Sequence, residues 1–134
     1  MGDSVHRFEC RVYYEDTDMA GIVYYANYLK YIERARSDWV RGLGVDQNAL
    51  RAAGTVFAVA RIEADYLRPA RFDDLLEVAT AVVAQSGARV VLRQQVTRAD
   101  EALFSARLTL VALDGQGRAT RLPAEFRRHL GNRR

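Results

Sequence analysis

Polar and apolar positions change their period twice along the chain. Over residues 7–13 they alternate, with Phe8, Cys10 and Val12 on one side and Arg7, Glu9 and Arg11 on the other, which predicts a half-buried strand. The alternation then lapses as far as Gly21, across a loop that crowds Glu15, Asp16, Thr17 and Asp18 together. Over residues 28–41 the apolar positions Tyr28, Tyr31, Ile32, Ala35 and Trp39 recur at helical spacing, and Lys30, Glu33, Arg34 and Asp38 lie elsewhere. This predicts the only long helix, with Asn27 as its N-cap and Gly42 or Gly44 as its stop. Arg34 and Asp38 are spaced to pair on its exposed side. Residues 45–53 predict a shorter helix that ends at Gly54.

Beyond Gly54 the period becomes two. Ala60, Ile62, Ala64 and Tyr66 alternate with Arg61, Glu63, Asp65 and Leu67 until Pro69 ends the strand. Further strands are predicted over residues 75–83, 89–97 and 102–113, and their links are of hairpin length, so neighbours pair antiparallel. Residues 123–130 predict a last helical turn with Pro123 at its first position, followed by a basic, frayed end. The sum is an α+β fold in one domain over residues 1–134, in which 118–134 form a basic C-terminal tail. Only the long helix can cover the apolar face of the sheet, so it is expected to lie across the concave side of a curled sheet.

Composition narrows the chemistry. A chain of 134 residues, 49% hydrophobic and 28% charged, suits one globular domain. No apolar run approaches the length of a membrane helix, the first residues lack the apolar core of a signal peptide, and a cytoplasmic location is expected. One cysteine and two histidines, His6 and His129, exclude an internal disulfide and leave too few ligands for a zinc site. They also leave little for a Ser-His-Asp or Cys-His mechanism, so catalysis without metal or cofactor would rest on carboxylates and backbone. The net charge is +3 and Lys30 is the only lysine among 20 basic residues. Arginine suits phosphate groups, and a coding bias toward arginine on a solvated surface accounts for it equally well. The charge is modest and spread out, without the basic-aromatic interleaving of a nucleic-acid platform.

The acidic loop stands just upstream of a helix N-terminus, whose free N–H groups over residues 24–28 can polarise a carbonyl or hold a developing oxyanion. A carboxylate held opposite them can attack that carbonyl or activate water. Gly21 lets backbone approach a ligand closely. On spacing alone, Asp16 and Asp18 fit turn formers at least as well; the aromatic surroundings Val23, Tyr24, Tyr25 and Tyr28 are what a solvated turn does not need.

The run Tyr14-Glu15-Asp16-Thr17-Asp18-Met19-Ala20-Gly21-Ile22-Val23-Tyr24-Tyr25-Ala26-Asn27-Tyr28, together with Glu33-Arg34-Ala35-Arg36, resembles the signature of the hot-dog-fold acyl-CoA thioesterases of the 4-hydroxybenzoyl-CoA thioesterase type. With Pro69-Ala70-Arg71-Phe72-Asp73-Asp74-Leu75-Leu76-Glu77, the chain is most similar to the bacterial Tol-Pal-associated acyl-CoA thioesterases, over roughly residues 11–113. The resemblance implies an acyl-CoA substrate and Asp18 as the catalytic carboxylate, acting as nucleophile or general base. It implies that the backbone N–H of Tyr25 polarises the carbonyl. It also implies that two subunits join their sheets with the site at their interface, and that dimers pair into tetramers. Many Tol-Pal-type members carry His at the position of Tyr25, whereas the hydroxybenzoyl type carries Tyr.

Gly21, Tyr25 and Tyr28 are then candidate substrate-binding residues, and Arg68, Arg71 and Arg89 candidate contacts to coenzyme A phosphates. Tyr13, Tyr14, Tyr24, Tyr28 and Trp39 are expected to pack in the core or an interface, and Glu33 and Asp38 to join surface ion pairs. The competing reading is a non-catalytic hot-dog scaffold that binds acyl carrier protein or envelope-associated partners. In that reading the contacts come from the basic C-terminal tail with Phe126 and Leu130.

Overall fold

The structure, a computed structural model, describes residues 5–130. Strand β1 (His6–Arg11) leads through a short 3-10 turn (Tyr14–Asp16) to helix α1 (Asn27–Gly42) and then to helix α2 (Gln47–Ala52). Strands β2 (Val56–Tyr66), β3 (Leu75–Gln85), β4 (Arg89–Arg98) and β5 (Glu101–Leu113) follow, then the short strand β6 (Ala119–Thr120) and helix α3 (Ala124–His129). The strands form one antiparallel sheet in the order β1-β3-β4-β5-β2, and β6 pairs with the end of β5. Inward positions alternate as the sequence predicts: Leu103 apart, Phe104, Ala106, Leu108, Leu110 and Ala112 of β5 are all buried.

Helix α1 lies on the concave face, above β1, β3 and β4. It buries Tyr28, Tyr31, Ile32, Ala35, Trp39 and Val40. The ring of Tyr28 stacks on Phe104 with centroids 4.9 Å apart. Each such fully buried large side chain contributes about 2 kcal/mol, several times an exposed ion pair, so the apolar face fixes where the helix lies. One polar device adds direction. Gln94, fully buried at an inward position of β4, donates its amide to the Ile32 carbonyl and the Thr80 hydroxyl, each at 2.9 Å. Its oxygen accepts from Arg36 at 3.1 Å.

Strand β2 begins at Val56, four residues before its expected start, because a bulge between Val59 and Arg61 resets the alternation. Phe57, Val59, Ile62, Ala64 and Tyr66 thereby all pair with inward residues of β5. Among the described residues β2 has no strand neighbour on its other side, and α1 meets it where the Tyr28 ring lies 5.5 Å from that of Tyr66. Val59, Ile62 and Tyr66 stay 42%, 39% and 49% exposed although they face the concave side.

Several local expectations are corrected. The N-cap of α1 is Ala26, and the Asn27 side chain instead donates to the Asp16 carbonyl. Pro123 caps α3 from outside rather than filling its first turn. Asp38 bonds His6 at 2.8 Å and lies 3.5 Å from Arg41, not Arg34, because β1 runs beside that face of the helix. Tyr13, Tyr14 and Tyr24 are exposed in the single chain, whereas Tyr28 and Trp39 are buried as expected. The C-terminal segment is core up to α3: Phe126 is fully buried between Trp39 and Phe57, with centroids at 5.8 and 4.9 Å. The expected frayed end, from residue 131, lies outside the described residues.

Phe126→Ala is expected to cost about 3–4 kcal/mol by the transfer and cavity terms together. Urea denaturation read by circular dichroism checks this; a loss under ~1 kcal/mol would mean that α3 is only an appendage.

Candidate active site

The loop between β1 and α1 is folded by its own carboxylates and carbonyls. The Asp16 side chain accepts from the Tyr13 N–H at 2.8 Å and closes the 3-10 turn. The Asp16 main-chain carbonyl then accepts twice, from the Tyr24 N–H and from the Asn27 amide, each at 2.9 Å. Between those anchors the chain turns back on itself, with Thr17 bridged to Val23 and the Asp18 N–H donating to the Ile22 carbonyl at 2.9 Å. Gly21 closes this turn at φ 79°, a left-handed conformation that a β-carbon would strain, and its N–H donates to the Asp18 carbonyl at 2.9 Å. The loop is fastened on its far side where Val23 donates to the Ala70 carbonyl at 2.9 Å and Ile22 bridges to Arg71.

Asp18 is exposed at the head of that turn. One of its oxygens accepts from the Ala20 N–H at 2.9 Å, and the other has no partner among the described residues. The start of α1 is held in place by tyrosines: the Tyr66 hydroxyl donates to the Tyr25 carbonyl at 2.9 Å, and the Tyr28 hydroxyl accepts from the Ala70 N–H at 3.0 Å. Burial pushes the pKa of both hydroxyls up, so both keep their protons at neutral pH. Among the described residues, the Tyr25 and Ala26 N–H groups have no protein acceptor. They are free donors at the positive end of a 16-residue helix.

A cavity of about 330 Å³ opens beside these donors, lined by Ile22, Val23, Tyr25, Tyr28, Tyr66, Leu67, Arg68 and Pro69. Tyr25 and Tyr28 therefore share it, while Asp18 and Gly21 stand just outside its lining, on the turn that Ile22 connects to it. The walls are apolar and aromatic, and the rim carries Arg68. An acyl group fits walls of this kind; Tyr25, with its free N–H, lines them, and Asp18, with one oxygen unpartnered, stands on the adjoining turn.

The three candidate phosphate contacts separate. Arg68 is at the rim, 3.2 Å from Glu101, and 67% of its side chain is exposed. Arg71 is exposed on the strip bridged to Ile22 and has no ion pair among the described residues. Arg89 starts β4 at the other end of the sheet, seven residues along the strand from Val96, which pairs with Phe104 beside Tyr66. At 3.3 Å per residue that is about 23 Å from the cavity of its own subunit. Sequence reasoning missed Tyr66 as a support of the helix start and Gln94 with Arg36. A glutamine among the inward positions Val90, Leu92 and Val96 was the available signal for the second pair.

Residues 20–105 match the thioesterase superfamily. The chain belongs to that superfamily. This thioesterase is 37% identical over 115 residues to the acyl-CoA thioester hydrolase YbgC of Escherichia coli O6:H1, covering 85% of this chain and 86% of that one. It is 36% identical over 129 residues to the acyl-CoA thioesterase YbgC of Haemophilus influenzae, covering 95% of each. Among solved structures it superimposes on a probable thioesterase from Bartonella henselae with a TM-score of 0.85 at 34% identity, over 90% of this chain and 100% of that one. A variant of 4-hydroxybenzoyl CoA thioesterase complexed with 4-hydroxybenzoyl CoA has the same fold, with a TM-score of 0.88 at 22% identity, over 95% and 99% of the chains. The expected α+β hot-dog fold and the thioester-hydrolase class are thereby borne out.

The one cysteine takes no part in this site. Burial pushes the Cys10 thiol up to about 11 from an ordinary value of 9.0. The folded chain thus holds the thiol neutral where the unfolded chain already ionises. The stability from this group is complete below pH 9 and is lost as pH rises from 9 through 11. Native protein at pH 8 is expected to react with a disulfide reagent far more slowly than urea-unfolded protein; equal rates would show an accessible, ionised thiol.

Proposed function

We propose that this thioesterase hydrolyses acyl-CoA to free acid and coenzyme A, with Asp18 as the catalytic carboxylate and the Tyr25 N–H as the oxyanion donor. The observation that carries the reading is the pairing, across one short loop, of a carboxylate oxygen without a partner and helix-start N–H groups without an acceptor. The relatives named acyl-CoA thioester hydrolase and acyl-CoA thioesterase, matched over 85% and 95% of this chain, support the substrate class. Asp18 either deprotonates the attacking water or attacks the carbonyl itself, forming an anhydride that water opens. Both routes put negative charge on the carbonyl oxygen, where the Tyr25 N–H receives it, and both release the coenzyme A thiolate, which takes up a proton. In this reading Tyr25 and Tyr28 line the acyl entrance, Gly21 holds the turn that carries Asp18, and Arg68 and Arg71 take the phosphates.

The working unit in this reading is a homodimer joined along β2. The free edge of that strand offers unpaired N–H and C=O groups along its 11 residues, and its concave side leaves Val59, Ile62 and Tyr66 exposed. A second sheet continued across the edge satisfies the backbone, and a second helix covers the stripe. Pairing of dimers into tetramers, carrier-protein thioesters, a cytoplasmic site of action and a Tol-Pal association extend the family resemblance and have no counterpart in the geometry. Of the contacts that the scaffold alternative would use, Phe126 is fully buried, while Arg128 and His129 are exposed.

Asp18→Asn is expected to lower kcat for acyl-CoA hydrolysis at least ~100-fold, the scale of a lost positioned base or nucleophile. Thiol release is the readout, with KM and thermal unfolding near those of the parent; unchanged turnover would remove Asp18 from the mechanism. Arg71→Ala is expected to raise KM about threefold, the scale of one exposed charge contact. The same substitution should leave hydrolysis of the matching acyl-pantetheine, which lacks the nucleotide phosphates, unchanged. Equal effects on both substrates would deny Arg71 its phosphate role.

A further inference from the structure

Residues 69–74 join β2 to β3, and the site leans on them. The Ala70 carbonyl accepts from the Val23 N–H at 2.9 Å, two residues before the free donor of Tyr25, and the Ala70 N–H donates to the Tyr28 hydroxyl at 3.0 Å. Ala70 itself is fully buried. Ile22 is bridged to Arg71, and the Tyr14 ring meets that of Phe72 edge-on with centroids 6.3 Å apart. The acidic loop and the first turn of α1 thus share one short strip as their support.

The strip does not hold itself. Pro69 has no N–H to give, and Asp73 sits at φ 72°, a left-handed conformation that a β-carbon strains. What ties the strip down is Arg98, at the end of β4. Its Nη1 donates to the Asp74 carboxylate at 2.6 Å and to the Pro69 carbonyl at 3.3 Å, so one guanidinium grips both ends. The same Asp74 oxygen accepts from the Arg71 N–H at 2.8 Å and closes the turn between them. Among the described residues no other side chain bonds the strip at both ends. The Arg98 and Asp74 side chains are 28% and 22% exposed, far less than the arginines paired at positions 7, 61 and 68, so solvent and salt screen this pair less. The other nitrogen, Nη2, donates to Glu101 at 2.8 Å, and Glu101 lies 3.2 Å from Arg68. Among the described residues Glu101 makes no bond to the strip.

From this geometry, and resting on the hydrolysis proposed above, we infer that Arg98 is a positioning residue for the thioesterase reaction. It does not line the cavity beside Tyr25, so it acts through the strip and not on the substrate. By fixing residues 69 and 74 it fixes the Ala70 carbonyl and N–H, and through them Val23 and the Tyr28 hydroxyl. Asp18 precedes Val23 in the chain and Tyr25 follows it. The separation of the carboxylate from the oxyanion donor is therefore set where Ala70 holds Val23, and a displacement of about 1 Å at such a place costs on the order of 100-fold in rate.

The test uses full-length protein with hexanoyl-, palmitoyl- and benzoyl-CoA as substrates, and hydrogen–deuterium exchange read by mass spectrometry. Arg98→Met is expected to lower kcat about tenfold or more with KM within about threefold of the parent. It is also expected to speed amide exchange over residues 22–28 about tenfold or more while β5 exchanges as in the parent. Arg98→Lys, which keeps donors for Asp74 and Pro69 without the fork to Glu101, is expected to recover kcat to within about threefold. Glu101→Gln, which removes the charge on the other side of Arg98, is expected to leave kcat within about twofold. Equal losses of kcat in Arg98→Met and Glu101→Gln, in step with their losses of thermal stability, are the signature of a structural role and overturn the inference. A folded Arg98→Met with the kcat and exchange of the parent overturns it as well. If Arg98→Met does not fold, Asp74→Asn weakens the same bond from the side of the strip and carries the same expectation. A parent that hydrolyses none of these thioesters overturns the proposed activity, and exchange over residues 22–28 then still decides whether Arg98 holds the loop; the two failures are thus told apart.

Discussion

Two hydrogen bonds to a single carbonyl, that of Asp16, fix the relation between the acidic loop and the long helix. One comes from the Tyr24 N–H and the other from the Asn27 side chain. Together they span the last turn before the helix from both ends, so the segment holding Tyr25 and Ala26 cannot wind its N–H groups back onto preceding carbonyls. The donors are free because they stand at the start of the helix, where no carbonyl one turn earlier lies in helical register with them. Everything proposed for the site depends on this: the carboxylate of Asp18 and the helix-start donors keep a fixed separation only while the Asp16 carbonyl ties the loop down. Tyr66 and Tyr28 brace the same turn from the sheet side, through the Tyr25 carbonyl and the Ala70 N–H. The site is a backbone construction, and its side chains serve as supports and walls.

The sheet sets where the site lies. Helix α1 sits over β1, β3 and β4, and the cavity beside Tyr25 lies where the start of the helix meets Tyr66 and Leu67 at the end of β2. An 11-residue edge strand with an apolar concave side is an aggregation hazard unless it is paired. In the proposed dimer, pairing this strand with itself removes the hazard.

Much of this was legible before any coordinates. The helical recurrence of Tyr28, Tyr31, Ile32, Ala35 and Trp39 and the strict alternation in β5 each report one interaction repeated many times, namely burial against a single surface. Such patterns survive local irregularity. What the sequence hid were features set by one contact each. The bulge near Ala60 displaces the period by one residue, so Val56 to Val59 looked like loop. Phe126 sits in a basic segment and looked like a tail, although Trp39 and Phe57 enclose it. Asn27 has the chemistry of a cap and spends it on a carbonyl eleven residues earlier. In the site, Asp18, Gly21, Tyr25 and Tyr28 could be named from the motif. Arg89 could not be sorted from Arg68 and Arg71, because strand register, which separates them, is invisible in spacing.

The most direct measurement is a crystal structure of the protein with a non-hydrolysable acyl-CoA analogue in which a methylene group replaces the thioester sulfur. The account predicts the ketone oxygen within hydrogen-bond distance of the Tyr25 N–H and the Asp18 carboxylate, or a water it holds, on the opposite face of the carbonyl carbon. An analogue seated with its carbonyl away from the α1 N-terminus, and with Asp18 in contact only with solvent, would contradict it.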